Sequence, residues 1–127
     1  MKQKLYSDGN GFSADKVWGQ QMWRVIHVVA ANFPCEPTRA NRLAYLAFFK
    51  SLAFTLPCAA CRKHYREFTG PRGSAPLRLR PGVFKDRKTV FVWTVGLHDA
   101  ISKSLGKKVA PPRGGWYRHY DAMRQQK

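Results

Sequence analysis

The sequence predicts an all-α fold, a four-helix bundle with a short fifth helix, and three observations carry that expectation. Apolar residues recur at threes and fours over four stretches, the spacing that lines one face of a helix. Capping residues, prolines and glycines bracket those stretches. Strand-type alternation is weak and no internal repeat is present, so neither a sheet nor a solenoid is expected. The 127 residues make one domain over 1–127, large enough to bury about two-thirds of its unfolded surface without disulfide staples. Its helical core is expected over 13–106, followed by a basic tail over 107–127.

Helix one starts at Ser13, a good N-cap, and carries Val17, Trp18, Met22, Val25, Ile26 and Val29 until Phe33-Pro34 stops it. Thr38 caps helix two, in which Leu43, Leu46, Ala47, Phe49, Ala53 and Phe54 keep the helical period up to Leu56-Pro57. Helix three runs from Cys58 to about Phe68, with Gly70-Pro71 and Gly73 as its stop. Residues 71–85, rich in Pro, Gly and Arg, read as a basic surface loop. From Asp86 the pattern Val90, Val92, Trp93, Leu97, Ile101 and Leu105 builds helix four, closed by Gly106. Beyond Pro111-Pro112 and Gly114-Gly115, residues Trp116 to Arg124 make the short fifth helix.

The chemistry concentrates in Leu56-Pro57-Cys58-Ala59-Ala60-Cys61-Arg62-Lys63-His64. A Cys-x-x-Cys closes a small disulfide ring. The positive end of a helix and nearby cations favour the thiolate that reacts, so Cys58 and Cys61 are the candidate catalytic residues. A thioredoxin fold is disfavoured, because there the dithiol follows a strand. Zinc spacing exists in Cys58, Cys61 and His64, but a structural site wants a fourth ligand, and Cys35, His27, His98 and His119 are scattered singly. No metal is expected. Haem attachment needs His directly after the second Cys, where the chain has Arg62. Of the three cysteines, Cys35 is the odd one, a free or intersubunit thiol in the loop between helices one and two.

Met1 to Asn10 are polar with no apolar signal core, and nothing approaches the roughly 18 apolar residues of a membrane span. These features predict an unexported chain without a membrane span. The formal net charge of +16 attracts nucleic acid, anionic membrane surfaces or acidic proteins. The charges run from Lys2 to Lys127, though, which suggests solvated faces more than a groove. A basic nucleic-acid-binding helical protein with an incidental dithiol is therefore the alternative function, and a non-catalytic dimeric relative is a second.

Trp23 and His27 are four residues apart on helix one, and His98 and Ser102 share a face of helix four, with Trp93 five before His98. Each residue by itself suits a core. Together they suit a planar aromatic ligand held between helices.

Taken in order, Gly19-x-x-x-Trp23-x-x-x-His27, Phe48, Pro57-Cys58-x-x-Cys61 and Trp93 ahead of the run His98 to Lys107 resemble the Erv/ALR sulfhydryl oxidases over residues 16–108. The compact length resembles the versions encoded by large DNA viruses. The resemblance implies FAD bound non-covalently beside the dithiol, with Cys61 next to the flavin and Cys58 taking the substrate's thiol. It implies FAD contacts from Gly19, Trp23, His27, Trp93, His98, Ser102, Leu105 and Lys107, and from Trp116 near the adenine. It implies a homodimer that oxidises thiols of a substrate protein, reached directly or through a thioredoxin-like shuttle, and passes the electrons to dioxygen to give hydrogen peroxide. A viral member would work in the host cytoplasm or virion. The chain departs from the family pattern His-Asn-x-x-Asn with His98-Asp99 and Ser102, and it has no cysteine after Cys61.

Overall fold

The computed structural model describes residues 12–74, 76–107 and 111–124. The reading of Met1 to Asn10, and the terminal charges Lys2 and Lys127, lie outside them. Five α-helices occur among the described residues: α1 Gly19–Ala31, α2 Arg39–Thr55, α3 Ala59–Thr69, α4 Arg87–Ser104 and α5 Trp116–Asp121. The all-α bundle with a short fifth helix is the architecture that forms.

Local chemistry sets each start. Thr38 and Asn41 make a reciprocal capping box, Asn41 N–H to Thr38 Oγ1 at 3.0 Å and Thr38 N–H to Asn41 Oδ1 at 2.9 Å. Asp86 Oδ1 accepts from both the amide and the hydroxyl of Thr89, each at 2.7 Å, and so starts α4. Helix one differs from expectation at its beginning. Ser13 does cap, but Ala14–Trp18 form a π turn in which the Gly19 amide reaches back to the Ala14 carbonyl. A Cβ on Gly19 would lie 2.6 Å from that carbonyl oxygen, so the turn needs a residue without one.

The core is aromatic. Phe33, Phe49, Phe84 and Phe91 are buried between the helices with Val90 and Leu97. Each contributes roughly 1.5–3 kcal/mol by leaving water. Helices α1 and α4 form the central pair, and α5 packs over both, burying Tyr120. Helix α3 is tied to the C-terminal end of α2 through side chains. Tyr65 Oη donates to the Phe49 carbonyl at 2.5 Å, Arg66 Nη1 to Ala53 O at 2.7 Å, and Arg62 Nη1 to Leu56 O. The two arginines occupy carbonyls at the end of α2 that the helix itself leaves open.

Two further expectations need correction. Residues 71–85 are more than a surface loop. A 3₁₀ turn at Pro81–Phe84 buries Val83 and Phe84, 4% and 1% exposed, and Leu77 O accepts the Trp93 indole N–H at 2.8 Å. Sparse apolar residues among Pro, Gly and Arg hid this plug, because it has no period. Helix α5 ends at Asp121 rather than Arg124, although Arg124 still docks on the bundle through Nη2 to Ala31 O at 2.7 Å.

Candidate dithiol site and adjoining cavity

Pro57 cannot extend α2, and the chain leaves it through extended backbone, with Cys58 at φ −148°, ψ 127°. Cys58 is the N-cap of α3: its Sγ accepts the Cys61 amide N–H at 3.2 Å. The outer cysteine therefore sits among the unpaired amides that begin α3, and the inner cysteine lies one turn further in. Both are partly buried. Of the neighbouring charges, Lys63 is exposed, whereas Arg62 reaches the Leu56 carbonyl.

A cavity of about 500 Å³ opens beside Cys61, walled by α1, α3 and α4. Gly19, Trp23, His98, Ser102, Leu105 and Lys107 all line it, as does Cys61. Cys58 is not part of its wall. Residues more than 80 positions apart in sequence thus converge on one space, of the size that holds cofactors. The Trp23 and His98 rings stack at 4.1 Å with 11° between planes, giving the wall a flat aromatic panel.

Three of the residues singled out from the sequence stand behind this wall. His27 is 1% exposed and hydrogen-bonds both ways, Nδ1 to Thr94 Oγ1 at 3.0 Å and Nε2 to His98 Nδ1 at 3.1 Å. Trp116 stacks on His27 at 5.8 Å, and Trp93 lies in the core, edge-on to Phe49. Asp99 points outward, 47% exposed, and pairs with Lys103 at 3.0 Å. The departure at this position therefore falls outside the cavity, whereas Ser102 is on its wall.

Sequence reasoning did not assign Trp18, Met22, Ile26, Leu56, His64 or Tyr65 to the wall. Trp18, Met22 and Ile26 share a helical face with Gly19 and Trp23 at intervals of three and four, the signal that would have found them. Phe12 is also unforeseen. Its amide donates to Pro57 O at 2.6 Å and its carbonyl accepts the Trp18 indole at 2.8 Å, so the segment before α1 lies against the dithiol turn.

Burial lowers the His27 pKa to about 3, with the neighbouring His98 acting in the same direction. Burial also lowers that of His98, opposed by Asp99. Both imidazoles are neutral at physiological pH. Among the described residues no three His, Cys, Asp or Glu side chains converge to hold a metal ion, and no helix is long and apolar enough to cross a membrane.

Residues 20–121 match the model of the Erv1 / Alr family. The chain belongs to this family. A protein of invertebrate iridescent virus 6, named a putative FAD-linked sulfhydryl oxidase, is 38% identical over 96 residues, covering 75% of this chain and 85% of that protein. A mimivirus protein, named a probable FAD-linked sulfhydryl oxidase, is 32% identical over 92 residues, 72% of this chain and 61% of its own length. The rice FAD-linked sulfhydryl oxidase is 28% identical over 93 residues, 44% of its length. The chain thus spans about six-tenths of the mimivirus relative and less than half of the rice one. The crystal structure of the yeast Erv1 core has the same fold, with a TM-score of 0.65 at 20% identity over 95% of this chain and 91% of that one.

Proposed function

We propose that this protein is an FAD-linked sulfhydryl oxidase that makes disulfides in thiol-containing protein substrates. The observation that carries the reading is the split of one dithiol across a cavity wall: Cys61 borders the cavity and Cys58 does not. The residues present fit the cofactor. Trp23 and His98 give a flat aromatic surface, Gly19 adds backbone to the wall, and Lys107 adds a cation to the lining, suited to phosphate. Bound there, FAD would supply a two-electron acceptor that dioxygen regenerates, with hydrogen peroxide as product.

The chain's own part is thiol–disulfide exchange. A substrate thiolate attacks Cys58 Sγ of the oxidised pair. The Cys58–Cys61 bond breaks and its electron pair leaves on Cys61, the sulfur at the cavity wall. A second substrate thiolate then attacks the substrate sulfur of the mixed disulfide, and Cys58 departs as a thiolate. The substrate now holds a disulfide and the protein holds both thiols. The Cys61 amide, already directed at Cys58 Sγ, stabilises that departing charge.

A homodimer is part of this reading by resemblance. Delivery of electrons by a thioredoxin-like shuttle and work in a host cytoplasm or virion belong to it in the same way. The test is the visible spectrum of purified protein, followed by dithiothreitol-driven oxygen consumption of the wild type, Cys58→Ala and Cys61→Ala. Flavin bands with turnover lost in both variants support the reading. Colourless, folded and inactive protein overturns it.

A further inference from the structure

Thr94, His27 and His98 form a hydrogen-bonded line from the core of α4 to the cavity. Thr94 Oγ1 lies 2.7 Å from the Phe91 carbonyl, 3.0 Å separate it from His27 Nδ1, and 3.1 Å separate His27 Nε2 from His98 Nδ1. A carbonyl only accepts, and a threonine hydroxyl has one hydrogen to give. If that hydrogen goes to Phe91 O, His27 Nδ1–H donates to Thr94, His27 Nε2 accepts, and His98 Nδ1–H donates to it. All three contacts are then hydrogen bonds. The reverse wiring spends the hydroxyl hydrogen on His27, satisfies two contacts, and leaves two oxygens 2.7 Å apart with no hydrogen between them. The three-bond arrangement wins.

We propose that Thr94 is a positioning residue that fixes both imidazoles as Nδ1–H tautomers, so that His98 offers a bare Nε2 acceptor to an O–H or N–H group of the ligand. Each ring's proton is placed by the bond its other nitrogen makes, and Thr94 starts the sequence. Among the described residues His98 Nε2 has no hydrogen-bond partner, and no buried side-chain nitrogen or oxygen lacks one. That nitrogen is therefore accessible, on a residue that lines the cavity. Stacking on Trp23 holds the ring in place. Neither sequence spacing nor the family match assigns Thr94 a role.

The wiring is a property of the chain alone; its consequence for the ligand rests on the flavin reading. The test is long-range ¹H–¹⁵N NMR of the histidine rings in flavin-free protein, with FAD titrations, for the wild type, Thr94→Val and Thr94→Ser. In the wild type and Thr94→Ser both rings carry the proton on Nδ1. Thr94→Val removes the acceptor, so both rings switch to Nε2–H. The acceptor at the cavity becomes a donor, and the FAD dissociation constant rises about tenfold, the loss of roughly one hydrogen bond, with recovery in Thr94→Ser. An Nε2–H ring in the wild type, or unchanged tautomers in Thr94→Val, overturns the wiring. Reversed tautomers with unchanged FAD affinity overturn the acceptor role. A wild type with the stated tautomers that takes up no FAD defeats the flavin reading and leaves the wiring standing.

Discussion

The amide of Cys61 points at the sulfur of Cys58 from 3.2 Å, so the outer cysteine of the dithiol is also the cap of the helix that carries the inner one. Redox chemistry and helix initiation share one side chain. The two roles separate by substitution. Cys58→Ser keeps a capping oxygen and loses turnover; Cys58→Ala loses turnover and about 1 kcal/mol of stability besides. Oxygen consumption and denaturant melts of the two variants check this, and equal stability of the pair would contradict the capping role.

Arg66 is the second anchor between α2 and α3. Its guanidinium donates to Ala53 O at 2.7 Å and lies 5.8 Å from the centre of the Phe54 ring. Arg66→Ala is expected to destabilise the protein by about 1 kcal/mol, with little effect on the spectrum of any bound flavin. Thermal unfolding followed by circular dichroism measures the loss.

His27 predicts an acid limit. Its pKa is 6.5 in the unfolded chain and about 3 when folded, so the unfolded state takes up the proton first as pH falls. Stability is complete above about pH 6.5 and declines between there and about pH 3, by at most about 5 kcal/mol. The groups facing this ring are Phe91, Thr94 and His98 from α4, Trp23 from α1, and Trp116 and Tyr120 from α5. None is an acid that could hold the proton on. Urea midpoints from pH 8 to pH 4 should fall for the wild type, and His27→Gln should show a flatter profile.

Gly19 and Asp99 make opposite predictions. Gly19→Ala sets a Cβ against the Ala14 carbonyl, which forces the π turn open at the cavity wall. Lower thermal stability and lower flavin content are expected together. Asp99→Asn removes an exposed pair with Lys103 and should shift stability by less than about 0.5 kcal/mol, with flavin content unchanged. The ratio of flavin to protein absorbance reads both.

Helix boundaries and the dithiol were legible in the sequence because their causes are local. Ser13, Thr38 and Asp86 cap within three residues, Pro57 breaks α2 by its own ring, and Cys58 meets the Cys61 amide across one turn. The 3.6-residue period picked out Ile26 on α1 and Val90, Trp93 and Leu97 on α4, which are buried, but it also took in Val25 and Val92, which the structure leaves exposed. What remained illegible depends on partners distant in the chain. Phe84 is a core residue because α2 and α4 close around a segment with no period of its own. Gly19, Cys61 and Lys107 border one cavity only because α1, α3 and α4 converge. Asp99 and Ser102, three positions apart, face solvent and cavity respectively because of how α4 is rotated in the bundle. The sequence by itself determined the helices and the reactive pair, through hydrogen bonds and sterics within a few residues. Only the tertiary structure supplied the wall on which Cys61 sits, a placement the family resemblance had implied, and the direction in which Thr94, His27 and His98 can pass a hydrogen bond, because both depend on packing between helices far apart in the chain.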